Sequence, residues 1–208
     1  MRIFTRGLRA PRSKDPVTNV LLLHYYGGAC RDDGSAACWD ADDLKQYHEA
    51  LTEAGVNARI LVPDIPGHGR SRGPAPPSTP EKDHLSKFVF KTLVPFLDHF
   101  GCDERTVCHG FDWGGGCAVA LAQSLPHRVN GLVAHNSSYR LQDGQREDLS
   151  WTKLVPHRAA LWTESMWHSK VKATLIGKQL GVKFTKMKGE LKVMEETVKV
   201  ARLVSEGL

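Results

Sequence analysis

Short apolar runs alternate with longer segments of helical periodicity along most of this chain, and this alternation constrains the fold more than any other feature. The first run, residues 19–24, is apolar without polar alternation, which is typical of a strand buried on both faces of a parallel sheet. Further strands are predicted at residues 58–62, 106–109, 129–135, 159–162 and 182–187. Helices are predicted at residues 40–54, 81–100, 114–124, 170–180 and 191–205. Such an alternation predicts parallel strands joined by right-handed crossovers, in a three-layer α/β/α sandwich.

The length of 208 residues is enough for one domain with a buried core. We expect residues 19–208 to form that domain, preceded by a basic N-terminal segment, residues 1–18. Four arginines precede the first acid of the chain, at positions 2, 6, 9 and 12. This segment is therefore interpreted as an edge strand leading into the core, with a mitochondrial presequence as the alternative.

Composition limits the partners that we expect. No apolar run approaches the roughly 18 residues needed to span a bilayer, so no membrane span is predicted. The formal net charge is +5, but no basic stretch is interleaved with aromatic residues, so nucleic-acid binding is not expected. Five cysteines without a C-x-x-C spacing favour neither a disulfide framework nor a zinc site. We expect no metal or cofactor, a small-molecule substrate or ligand, and a cytoplasmic location, with mitochondria as the alternative.

Residues 107–116, with the sequence Val-Cys-His-Gly-Phe-Asp-Trp-Gly-Gly-Gly, are the most informative about function. Here a predicted strand runs directly into a predicted helix through Gly110, Asp112 and Gly114. The residue at the apex of such a turn is raised above the sheet edge, and the flanking glycines let the two backbones pass closely. The backbone N–H of Trp113, at the helix start, points to the same space and can help to hold an oxyanion.

This segment resembles the nucleophile elbow of epoxide hydrolases and haloalkane dehalogenases, which belong to the α/β-hydrolase superfamily. Residues 24–28, His-Tyr-Tyr-Gly-Gly, are similar to the family's His-Gly-x-Pro oxyanion turn, and residues 63–71 to its Asp-x-Pro-Gly-x-Gly-x-Ser turn. The resemblance covers residues 19–138. It implies that Asp112 is the nucleophile and that the N–H groups of Tyr26 and Trp113 form the oxyanion hole.

The sequence departs from the family pattern at three places. The family's general base is a histidine after the last strand, yet no histidine follows His168 here. Met166 stands where the family often has an orienting aspartate, and residues 136–157 are too few for the family's helical lid. His168 is therefore the candidate base, with Glu164 to orient it, and a surface-loop histidine is the alternative.

Two functions are consistent with these motifs and departures. The first is hydrolysis of a small electrophilic substrate, an epoxide or an ester, through an alkyl- or acyl-enzyme on Asp112. The alternative is a catalytically degenerate α/β-hydrolase that binds a small molecule or a partner protein. The elbow favours the enzyme, and the missing base favours the binding module.

Overall fold

A computed structural model of the protein describes residues 3–8, 16–25, 39, 41–76, 87–111, 113–135, 159–163 and 190–207. Within these residues, six strands form one sheet with the order β1-β3-β2-β4-β5-β6. Their bounds are Thr5–Leu8 (β1), Thr18–Leu23 (β2), Ala58–Pro63 (β3), Thr106–Phe111 (β4), Val129–His135 (β5) and Ala159–Thr163 (β6). Each predicted strand in the described part of the chain is present, and the one predicted at residues 182–187 lies outside it.

The described helices are α1 (Ala41–Glu53), α2 (Val94–His99), α3 (Trp113–Ser124) and α4 (Glu190–Ser205). A π-helical turn, Val89–Leu93, leads into α2, which has Pro95 in its first turn. A proline inside a helix has no N–H to donate, so the regular hydrogen-bond ladder of the long predicted helix is interrupted here. The helix predicted at residues 170–180 lies outside the described residues. None of the described helices is long and apolar enough to cross a membrane.

The pairing of the strands confirms the predicted fold class. Strand β2 pairs in parallel with both β3 and β4, and β4, β5 and β6 continue the parallel arrangement. Strand β1 pairs antiparallel with β3 and forms one edge of the sheet, with Thr5 opposite Pro63. Helices α1, α2 and α3 connect the parallel strands from β2 to β5 across the faces of the sheet, as in an α/β/α sandwich.

Each face of the sheet has its own hydrophobic core. Side chains of a strand alternate between faces, so neighbouring residues of β2 enter different cores. Leu21 and Leu23 pack with Leu97 and Leu121 on the face covered by α2 and α3. Val20 and Leu22 belong to the core on the other face, which is covered by α1 and α4. The continuous apolar character of β2, noted in the sequence, follows from this double burial.

A buried polar cluster links the two helices of the second face to β4. The Nδ1 atom of His109 lies 3.0 Å from the Tyr47 hydroxyl oxygen and 3.2 Å from Oγ1 of Thr197. The indole ring of Trp39 meets the His109 ring edge-to-face, with 5.1 Å between centroids. Since Tyr47 belongs to α1 and Thr197 to α4, the His109 side chain ties both helices to the strand that leads into the elbow.

Helix α4 packs against β5 at a residue without a side chain. A Cβ atom added to Gly131 would lie 2.7 Å from Cγ1 of Val200 and 2.8 Å from Cγ2 of Val107. These distances are shorter than van der Waals contact, so a side chain at position 131 would push α4 away from the sheet.

We predict that Gly131→Ala lowers the free energy of unfolding by about 1–3 kcal/mol through overpacking. Urea unfolding of the wild type, Gly131→Ala, Val200→Ala and the double variant measures this effect. In the Val200→Ala background the same change should cost less, because part of the clashing side chain is gone. An equal cost in both backgrounds would show that the contact with Val200 is not the cause.

Candidate active site

The topology of the sheet marks one place at its carboxyl edge as the expected binding crevice. After β2 the chain moves to one side to form β3, and it then crosses to the other side of β2 to form β4. Ligands of open α/β sheets bind at such a switch point, outside the carboxyl ends of the two strands. His24 and Tyr25 directly follow β2, and position 112 directly follows β4. The residue predicted to be the nucleophile thus directly follows one of the two strands that flank the switch point.

The connection from β4 to α3 is short. Strand β4 ends at Phe111 and helix α3 begins at Trp113, so a single residue separates them. A Cβ atom at Gly110 would overlap the carbonyl oxygen of Gly114. A Cβ atom at Gly114 would overlap the carbonyl oxygens of Leu23 and His24. Only glycine fits at both positions, and the start of α3 therefore lies against the end of β2.

Trp113 gives α3 a fixed starting point. Its side chain is only 6% exposed, and its indole ring meets the Phe88 ring edge-to-face with 5.1 Å between centroids. Trp113 is the first residue of α3, so its backbone N–H belongs to the helix start. Such N–H groups, together with the helix dipole, favour a negative charge near the helix start.

His24 connects the loops that follow β2 and β3. Its ring is fully buried, its Nε2 atom accepts a hydrogen bond of 2.8 Å from the backbone N–H of Ile65, and its Nδ1 atom lies 2.7 Å from the Tyr25 carbonyl oxygen. These partners require a neutral ring with the proton on Nδ1. Burial disfavours the charged form and lowers the pKa of His24 from 6.5 to about 4, although the Tyr25 carbonyl and Asp64 act in the opposite direction.

The turn after β3 is held by the aspartate and the serine of its motif. Oδ2 of Asp64 accepts a hydrogen bond of 2.9 Å from the Arg70 N–H, and the Ser71 hydroxyl donates to the Asp64 carbonyl oxygen at 2.7 Å. The Ser71 Oγ atom also accepts from the N–H of Phe4, which precedes β1. Gly67 and Gly69 have φ values of 77° and 52°, which other residues rarely adopt. The buried Asp64 thus holds the turn that follows β3.

The predicted site residues differ in how far the structure describes them. Trp113 lies at the start of α3, as expected. Asp112, Tyr26 and His168 lie outside the described residues, as do Glu164 and Met166. Within the described part, no group of three or more His, Cys, Asp or Glu side chains could hold a metal ion.

His24 has a role that the sequence did not predict. Besides its place in the segment that resembles an oxyanion turn, it binds the turn after β3. The signal was a histidine directly after a fully apolar strand, where an imidazole must find hydrogen-bond partners in the interior.

Comparison with known proteins agrees with this geometry. The sequence model of the alpha/beta hydrolase fold family matches residues 20–204. The chain therefore belongs to the α/β-hydrolase fold family. The esterase PE8 has the same fold, with a TM-score of 0.61 over 98% of this chain and 100% of that one, at 15% identity.

Curated relatives match part of the chain. A pimeloyl-[acyl-carrier protein] methyl ester esterase from Nitrosospira multiformis is 31% identical over 93 residues, which cover 45% of this chain and 33% of that protein. Haloalkane dehalogenase 2 from Mycobacterium tuberculosis is 30% identical over 91 residues, covering 44% and 30%. Epoxide hydrolase 3 from Siraitia grosvenorii is 29% identical over 114 residues, covering 55% and 30%. The chain thus matches about a third of the length of these relatives.

We predict that His24 makes the stability of the protein depend on pH between 6.5 and about 4. The folded state resists protonation of this ring, so in this range the unfolded chain binds more protons. The free energy of unfolding should therefore fall by about 3 kcal/mol as the pH falls through the window, with the full contribution present above 6.5.

Urea unfolding of the wild type and His24→Gln at several pH values from 7.5 to 4 measures this contribution. Glutamine fills part of the space and does not titrate. The wild type should be the more stable protein at pH 7.5, and its advantage should shrink as the pH falls. Two stability curves that stay parallel over the whole range would contradict the assignment.

Proposed function

We propose that this protein hydrolyses a small electrophilic substrate, an epoxide or an ester, with Asp112 as the nucleophile. The observation that carries the proposal is that Gly110 and Gly114, which flank position 112, have no room for a side chain. They support a strand-to-helix turn with a single residue at its apex, beside the end of β2. An apex residue of such a turn is raised above the sheet and reaches a substrate in the crevice.

The chemistry would proceed in two steps. The Asp112 carboxylate attacks a carbon of the substrate and forms an ester, or an anhydride if the carbon is an acyl carbon, and the leaving oxygen takes up a proton. Water then attacks the carbonyl carbon of residue 112, and a base accepts the proton of that water. The product departs, and the carboxylate is restored with one oxygen from water.

The oxyanion of the second step has a candidate partner at the start of α3. It would form beside the backbone N–H of Trp113, the first residue of α3, where the helix dipole favours a negative charge. The N–H of Tyr26, after β2, is the second proposed donor. The contact of Gly114 with the Leu23 and His24 carbonyls supports this pairing, because it brings the start of α3 close to the loop after β2.

His168 is the proposed base of the second step, with Glu164 as the group that orients it. His168 is the last histidine of the chain and follows β6 by five positions. The family relationship supports hydrolysis in general, and the dehalogenase and epoxide hydrolase among the relatives favour an aspartate nucleophile over a serine.

Isotope labelling gives the sharpest test of the nucleophile. In a single turnover in H₂¹⁸O, the oxygen that the product gains should come from Asp112 and not from the solvent, so the first product should be unlabelled. Styrene oxide is the suitable probe, analysed by mass spectrometry of product and protein, because water could open an acyl anhydride at the carbonyl carbon of the substrate and so label the product of an ester. Label in the first product would show direct attack by water and overturn the proposed role of Asp112.

We predict that Asp112→Ala abolishes turnover and that His168→Ala lowers it by at least a hundredfold while the covalent adduct on Asp112 accumulates. Steady-state rates and the intact mass of the protein measure the two effects. Asp42→Asn and His127→Ala remove an exposed carboxylate and an exposed imidazole elsewhere, and both should leave the rate unchanged. Full activity of Asp112→Ala would contradict the proposal.

One observation favours a second function. No histidine follows His168, at the position where the resemblance implies the general base. A protein without a base could keep the fold and bind a small molecule or a partner protein. Absence of both turnover and adduct in the wild type would favour this binding module, whereas an adduct that never hydrolyses would show the first step alone.

A further inference from the structure

A cavity opens at the amino ends of the strands, opposite the carboxyl ends at which position 112 follows β4. It has a volume of about 690 Å³, which is within the usual range of small-molecule sites. Three of its lining residues mark its position, because Asn19 is the second residue of β2, Arg59 is the second residue of β3, and Arg105 directly precedes β4. His24 and the start of α3 lie at the other ends of these strands.

The guanidinium of Arg59 is held in place by buried partners. Its Nε atom donates to Oδ1 of Asn19 at 2.9 Å, and its Nη2 atom donates to the Phe100 carbonyl oxygen at 2.6 Å. Asn19 is only 2% exposed. Nη1 has no hydrogen-bond partner within the described part of the chain. Arg59 thus offers a charged donor whose orientation is already fixed, which reduces the entropy lost when a ligand binds.

Arg105 supplies a second positive charge. Its main chain is fixed, because its N–H donates to Oδ1 of Asp103 at 3.1 Å and its carbonyl oxygen accepts from the Asn19 N–H at 2.8 Å. Among the described residues, its guanidinium has neither a hydrogen-bond nor an ion-pair partner. Asp103 is the acidic residue of the described lining, which therefore contains two arginines and one carboxylate. This balance favours a ligand with a single negative charge.

The rest of the described lining is largely apolar. Leu8, Val17 and Phe100 contribute to it, and all three are only partly buried. An inorganic anion would leave this apolar surface uncovered, whereas a hydrocarbon chain or ring would cover it and gain free energy from leaving water. A ligand that matches both parts therefore carries one anionic group on an apolar body.

We propose that this cavity binds a small organic monocarboxylate. Its carboxylate lies against Nη1 of Arg59 and the guanidinium of Arg105, and its hydrocarbon part lies against Leu8, Val17 and Phe100. Planar guanidinium groups match the geometry of a carboxylate and form strong charge-assisted hydrogen bonds with it. The proposal is independent of Asp112 and of any hydrolytic activity.

Titration of the ¹⁵N-labelled full chain with sodium hexanoate, followed by NMR, tests the proposal. Hexanoate should bind saturably and shift the amide signals of Gly7 and Gly101, two glycines of the lining. Hexanamide has the same shape without the charge and should bind at least tenfold more weakly. Absence of saturable binding, equal affinity for both compounds, or shifts at Gly110 and Gly114 in place of Gly7 and Gly101 would overturn it.

Two variants that should change the Kd in opposite directions distinguish an effect on binding from a folding defect. Arg105→Gln should raise the Kd for hexanoate about tenfold or more, because it removes a charged donor. Asp103→Asn should lower the Kd, because it removes the opposing charge and keeps an oxygen for the Arg105 N–H. Arg202→Gln removes an exposed arginine of α4 as a matched control and should change nothing. An unchanged Kd in both Arg105→Gln and Asp103→Asn would exclude the site.

Discussion

The close approach of helix α3 to the ends of β2 and β4 is the constraint on which the carboxyl edge of this protein depends. Gly110 and Gly114 have no room for even a methyl group, because carbonyl oxygens occupy the places where their Cβ atoms would lie. This contact brings the first N–H of α3 beside the loop after β2 and limits the connection after β4 to one residue. The short connection between β4 and α3 thus depends on two residues without side chains. The same close approach sets where the start of α3, which favours a negative charge, is located.

Buried polar groups join the described loop segments after β2 and β3 to each other. His24 accepts from the main chain of Ile65, and Asp64 and Ser71 hold the turn that contains Ile65 and bind it to the segment before β1. Each of these groups is removed from water, so loss of its partner would cost more than the bond itself contributes. The two ends of the sheet therefore differ, with loops joined by buried hydrogen bonds at the carboxyl ends and a cavity lined by two arginines at the amino ends.

Much of the fold could be predicted because burial on two faces leaves a clear pattern in the residues. The apolar run of β2 and the spacing of α1 were sufficient to place those elements within one or two residues. The π-helical turn before Pro95 was not predicted, since proline indicates an interruption but not the form that it takes. The hydrogen bond between His24 and Ile65 was also missed, because their separation of 41 positions has no periodic signal.

The sequence by itself determined the α/β class, the parallel strands and the glycine spacing around Asp112, because these depend on local preference and on steric limits within a few residues. Only the tertiary structure decided that the start of α3 lies against the carbonyls of β2, that His24 stays neutral in the interior, and that Arg59 and Arg105 line one cavity. These features join residues that are distant in the chain. Their energies come from burial and from partners that folding brings together, and no single segment contains that information.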